Sequence, residues 1–188
     1  MMVVAKVLQE FQEELHYSVT LLACNAEESG LLGSRYYAEN SDRSNIIANI
    51  NFESTPVWGK ARSIMGIGAR FSDFEGIIQE MAQQHNLEYS TFSLSNQGLF
   101  YRSDQFSFAR YGIPSVWISA GENELSGAHN YTDFWGKDYH TVRDEFDPDW
   151  ELNGMKQTIQ FALLLIDQLN RMESLPQQKD DLPFPVRK

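Results

Sequence analysis

Short apolar runs alternate with amphipathic segments along almost the whole chain, and that alternation narrows the possible folds more than any other property of the sequence. Ser18–Cys24, Ile46–Phe52, Ser63–Ile67 and Ser115–Ser119 are rich in β-branched and apolar residues and read as strands, with Leu87–Leu94 a weaker one. Between them, Val3–Leu15, Leu31–Glu39, Phe74–His85, Asp104–Tyr111 and Leu152–Met172 carry helical spacing. The last is the most regular, with Ile159, Leu163, Ile166 and Leu169 on one face. Strands that alternate with helices predict an α/β fold, a three-layer sandwich around a mostly parallel mixed sheet. Gly121–Asp138 reads as a long functional loop. Residues 1–173 form one expected domain, followed by a Pro-rich charged tail over 174–188.

In such sheets, ligands sit beyond the carboxyl ends of the strands. Glu27 and Glu28 follow the first strand-like run, and Glu53 follows the second. Adjacent carboxylates point in different directions, so one can hold a metal while its neighbour faces the water on that metal. His140, framed by carboxylates in Asp138-Tyr139-His140-Thr141-Val142-Arg143-Asp144-Glu145, is a candidate metal ligand with partners to orient it. Cys24 is the only cysteine, which rules out an intrachain disulfide; its place in an apolar run predicts a buried, inert thiol.

A net charge of −11 argues against nucleic acid and anionic membranes as partners. No apolar run reaches the roughly 20 residues that span a bilayer. The first residues do not read as a signal peptide.

Taken in order, the motifs are specific. They run Glu27-Glu28-x-Gly30-Leu31-Leu32-Gly33-Ser34, then a strand ending in Glu53, then Tyr101-Arg102-Ser103-Asp104-x-Phe106-Ser107-Phe108. Gly112-Ile113-Pro114 and Tyr139-His140-x-x-x-Asp144-Glu145-Phe146-Asp147 complete the set. This order resembles the co-catalytic di-zinc exopeptidases of the bacterial leucyl-aminopeptidase type, related to glutamate carboxypeptidase and glutaminyl cyclase. The similarity runs from about Val3 to Met172.

The resemblance implies peptide substrates and a zinc-dependent hydrolase that removes N-terminal residues. By the same resemblance, Glu27 is the general base, and Glu28, Glu53 and His140 are metal ligands. Asp104, Tyr101 and Tyr139 would line the substrate pocket. Three departures accompany it. Glu53 stands where the family usually has aspartate, and Gln105 stands where it commonly has histidine. The family's upstream metal-ligand segment has no counterpart before Val3, so the chain is expected to be N-terminally truncated. Two zincs are therefore expected in the family, but one or none here, with activity impaired. A homodimer or a complementing chain through an exposed sheet is the expected partner. The family is mostly exported, and the compartment of this chain is left open. Two alternatives stand beside the peptidase: a non-catalytic domain that keeps the fold, and a glutaminyl-cyclase-like enzyme.

Overall fold

The computed structural model describes residues 1–93 and 98–187. Among these residues four strands form one sheet: β1 (Asn49–Asn51), β2 (Ser63–Ile67), β3 (Glu88–Ser90) and β4 (Ser115–Ala120), in the order β1-β4-β2-β3. β1 pairs parallel with β4, and β2 parallel with β3, while β2 and β4 run antiparallel. Among the described residues, six α-helices accompany them: α1 (Met2–Glu10), α2 (Leu32–Asn40), α3 (Phe74–Gln84), α4 (Gln105–Ala109), α5 (Tyr131–Lys137) and α6 (Asn153–Arg171). The architecture is the expected α/β sandwich.

β4 is buried along its whole length, and its alternation assigns the two layers. Val116 and Ile118 share a core with Ile64, Phe74 and Ile78 and with Phe161 and Leu165 of α6. Trp117 lies in a second core with Met65, Phe92, Leu99 and Tyr131. Period-two side chains on a doubly covered strand produce this division. Elsewhere, Ser34 of α2 meets Ser107 of α4 through hydroxyls 2.8 Å apart, and both residues are buried.

Several elements differ from the sequence reading. Ser18–Cys24 forms no strand and is mostly exposed. Its side chains suit a sheet, but β propensity becomes a strand only beside a neighbour, and no described strand lies alongside it. Of Ile46–Phe52, only Asn49–Asn51 pairs, because β4 supplies a partner over just that length. The weaker strand contracts to Glu88–Ser90; its expected end at Leu94 lies outside the described residues. The long loop holds α5, capped by the Asn130 side chain, which accepts from the Thr132 amide at 2.8 Å.

Only Val4 of the first helix is buried. The buried stripe of α6 is rotated from the expected one, taking in Gln157, Thr158, Phe161, Ala162, Leu165 and Leu169. Its two polar members serve open backbone. Gln157 accepts from the Ala61 amide at 2.8 Å and donates to the Ala61 carbonyl at 3.0 Å; Thr158 accepts from the Ala120 amide at 2.8 Å. Residues 175–187 run back over the body: Lys179 donates its amide to the Phe71 carbonyl, and Phe184 is buried among Phe71 and Phe100. No described helix is long and apolar enough to cross a membrane.

Candidate active site

The Glu27-Glu28 pair sits on a tight turn that α2 holds from behind. The amides of Gly30 and Leu31 donate to the Glu27 carbonyl at 3.0 and 2.8 Å, and that of Leu32 donates to Ala26 at 3.2 Å. Gly33 presses its Cα face on Asn25, donating to the Asn25 carbonyl at 2.9 Å. A Cβ there would stand 2.6 Å from both the amide nitrogen and the carbonyl oxygen of Asn25. The glycine in the motif is therefore a contact requirement. Ala26 and Leu31 both adopt positive φ, at 56° and 61°, which costs energy in residues with a Cβ.

Glu53 lies two residues beyond β1, at the carboxyl end of the parallel β1–β4 pair. Its Oε1 accepts from Asn51 Nδ2 at 3.0 Å, and the same amide group donates to Gln105 Oε1 at 2.7 Å. Gln105 is fully buried at the start of α4, directly after Asp104. Asp104 lies beside Cys24, and its Oδ1 has no partner among the described residues.

These acids feel one another. Glu27 is pushed up to about 7, first by burial and then by the charges of Glu53, Glu28 and Asp104, with Arg102 pulling it down. Glu53 is raised mainly by burial and also by Asp104, against the Asn51 hydrogen bond that lowers it. The Cys24 thiol is pushed up to about 11 by burial and by Asp104. Cys24 is half-exposed, not buried as expected.

His140 arrives from far along the chain. Its Nε2 is 3.1 Å from Glu28 Oε1, with both side chains more than half exposed. The loop that presents it is internally braced. Asp144 accepts from the His140 amide at 3.1 Å, and Arg143 Nε donates to Asp138 at 2.6 Å. The His140 ring stacks on Tyr139, 3.9 Å between centroids, and Tyr139 in turn packs on Trp135 at 4.1 Å. His140 itself holds φ of 61°. The Tyr139 hydroxyl is pushed up to about 12 by burial, then by Glu28, Glu53 and Glu27.

Of the residues singled out from sequence, Glu27, Glu28, Glu53, Asp104, Tyr139 and His140 therefore meet in one region. Tyr101 does not join the acids; it packs with Phe71, Phe100, Phe106 and Phe184 under the C-terminal segment. Asn51, Arg102 and Cys24 also lie in this region and were not anticipated in it. The polar Asn49-Ile50-Asn51 alternation was the available signal for Asn51.

A zinc site tests this donor set. Tetrahedral catalytic zinc takes three protein ligands and leaves one position open. Glu28 and His140 are placed as two adjacent donors, but no three His, Cys, Asp or Glu side chains among the described residues gather closely enough to hold a metal ion. Glu27, Glu53 and Asp104 lie near enough to repel each other's charge without converging on one point. As arranged, the set falls short of a complete zinc site.

A search of curated proteins finds no match. Among solved structures, the chain is similar to the aminopeptidase from Aneurinibacillus sp. strain AM-1, with 19% identity and a TM-score of 0.45. That match covers 88% of this chain and 36% of the aminopeptidase, so the chain spans about a third of that protein's length. Residues 1–164 match peptidase family M28. With that match over most of its length, the chain belongs to peptidase family M28, a family of zinc-dependent hydrolases.

Proposed function

We propose that the region around Glu27 is an exopeptidase site of the aminopeptidase type, with Glu27 as general base and Glu28, Glu53 and His140 as metal donors. Hydrolysis by this chain alone is impaired, because its donor set is short. The observation that carries this reading is the 3.1 Å approach of His140 to Glu28 from distant parts of the sequence, beside two further carboxylates. Carboxylates that raise one another's proton affinity in this way cluster at functional sites.

The residues divide the work. Glu27, near neutral in affinity for its proton, can take a proton from water and return it to a leaving amine. The excess of carboxylates favours a substrate's free α-ammonium over a terminal carboxylate, which selects the amino end of a peptide. Asp104 and Tyr139 wall the cluster, and Asn51, fixed by Gln105, orients Glu53. A zinc ion, when bound, would polarise the scissile carbonyl and acidify water.

Zinc stoichiometry and leucyl-anilide hydrolysis, measured on the same samples, test the reading. Glu27→Gln should abolish hydrolysis while metal content stays, because a base is not a ligand. His140→Ala should release the metal first. A second reading, a fold-retaining domain without catalysis, is favoured by the lack of a three-donor group among the described residues. No zinc uptake at millimolar metal, with no hydrolysis, would leave that second reading in place of the first.

A further inference from the structure

Arginines from three separate parts of the chain come together where the C-terminal segment crosses α2 and α4. The two helices meet through the Ser34 and Ser107 hydroxyls. Arg35 follows Ser34 on α2, and Arg110 closes α4 one turn beyond Ser107. Arg187 spans the pair. Its amide donates to the Arg110 carbonyl at 2.6 Å, and its Nη1 lies 3.4 Å from Glu39 Oε1, one turn after Arg35 on α2. Arg110 is held below the usual arginine range by partial burial, then by the charges of Arg187 and Arg35, with Tyr111 and Glu39 acting the other way.

Such crowding is unexpected in a chain with 26 acidic and 15 basic side chains. Elsewhere cations take carboxylate partners: Arg143 with Asp138, Arg171 with Asp167 and Lys179 with Glu75. Here the one nearby carboxylate, Glu39, contacts Arg187. Among the described residues, the Arg35 and Arg110 guanidiniums have no hydrogen bond and no ion pair; that of Arg110 lies over the Phe106 ring, 5.7 Å from its centre. Helix carboxyl ends attract cations, which is the simplest account of arginines here. Other donors already serve those ends. Arg43 donates to the Ala38 and Glu39 carbonyls of α2, and Gln178 Nε2 donates to the Ala109 carbonyl of α4. Arg35 and Arg110 therefore carry unused donors and an uncompensated repulsion. Three cations against one carboxylate leave a local charge of +2 (3 − 1). A dianion neutralises it. A phosphoryl group also turns three oxygens toward three planar guanidinium forks, whereas a carboxylate has two oxygens and one charge.

We propose that Arg35, Arg110 and Arg187 bind a phosphoryl dianion, as free phosphate or a small phosphate monoester, and that the bound group pins the C-terminal segment to α2 and α4. The proposal is independent of the peptidase reading, since it uses neither metal nor hydrolysis.

Calorimetric titration of the full, chelator-treated chain with sodium phosphate, near pH 7.5 and at fixed ionic strength, tests it. One phosphate per chain should bind, with a dissociation constant of about 1 mM or tighter. Arg35→Gln combined with Arg110→Gln should weaken binding about tenfold or more. Both changes relieve repulsion, so the variant should fold. Glu39→Gln, which removes the competing carboxylate, should tighten binding by about threefold. Phosphate should also slow hydrogen exchange at residues 185–187 in the parent and not in the double variant. Glycerol 3-phosphate serves as the monoester probe: tighter binding than phosphate identifies a monoester as the ligand, weaker binding the free ion, and either supports the site. Three results would overturn the proposal: no saturable binding up to about 20 mM phosphate, acetate binding as well as phosphate, or equal affinity in parent and double variant. The last means that an adventitious ion is held elsewhere.

Discussion

Gly33→Ala should unseat the turn that carries Glu27 and Glu28. The added methyl would lie 2.6 Å from the Asn25 nitrogen and oxygen, and ordinary contact begins near 3.4 Å, so about 0.8 Å must be found (3.4 − 2.6). Both obstacles are backbone, so no rotamer change relieves them. The same two residues are tied by a hydrogen bond of 2.9 Å, which the displacement would stretch. Overpacking of this kind costs about 1–3 kcal/mol. For a domain of this size, each kcal/mol lowers Tm by about 2–4 °C, so the expected loss is about 2–12 °C. Gly76→Ala is the matched control: Gly76 is exposed on α3 with nothing within 4 Å of its Cβ position. Alanine there should stabilise by about 0.5–1 kcal/mol. Urea unfolding of both variants, read as a change in midpoint at constant m, isolates the contact from the general glycine effect. A Gly33→Ala variant as stable as Gly76→Ala would refute the argument that this glycine is fixed by close approach.

Ser34→Ala should cost about 1–3 kcal/mol, because the buried Ser107 hydroxyl loses its 2.8 Å partner; adding Ser107→Ala should cost less than the sum of the two single changes. Phe184→Ala should cost about 3–5 kcal/mol and open residues 175–187 to proteolysis, since that ring anchors the segment in an aromatic cluster; unchanged protease resistance would count against the anchor. Glu27 binds its proton more tightly when folded, about 7 against an ordinary 4.5, so its contribution is full below pH 4.5 and is lost as pH rises through 7. Its side chain is largely solvated, which reduces the contribution to about 1 kcal/mol. Unfolding free energies at pH 5 and pH 8 should therefore differ less in Glu27→Gln than in the parent, and an unchanged difference would contradict the shift.

Most of the fold was legible because period and punctuation agree. Ser63–Ile67 pairs over the expected span, and Gly112, at φ of 80°, ends the α4 turn ahead of Pro114. Ser18–Cys24 failed for the complementary reason: side-chain pattern specifies a face, while pairing depends on what lies alongside. The rotated face of α6 was hidden because Gln157 and Thr158 count as polar in any periodicity, yet are buried to serve backbone ends at Ala61 and Ala120. At the site, the carboxylates and His140 could be named from motif order. The Asn51–Gln105 link behind Glu53 could not, since it joins residues that no local pattern connects.

The connectivity of the sheet also orders its assembly in time. β2, α3 and β3 are consecutive, and their parallel pairing closes through one short crossover. β1 must wait for β4, and Glu28 waits longer still for His140, 112 residues further on (140 − 28). Long-range closures of this kind form late, since chain entropy is lost before contacts repay it. During synthesis, Glu27 and Glu28 therefore emerge well before their imidazole partner has been made. The imidazole can reach Glu28 only once β4 and α5, which precede it in the chain, have been made.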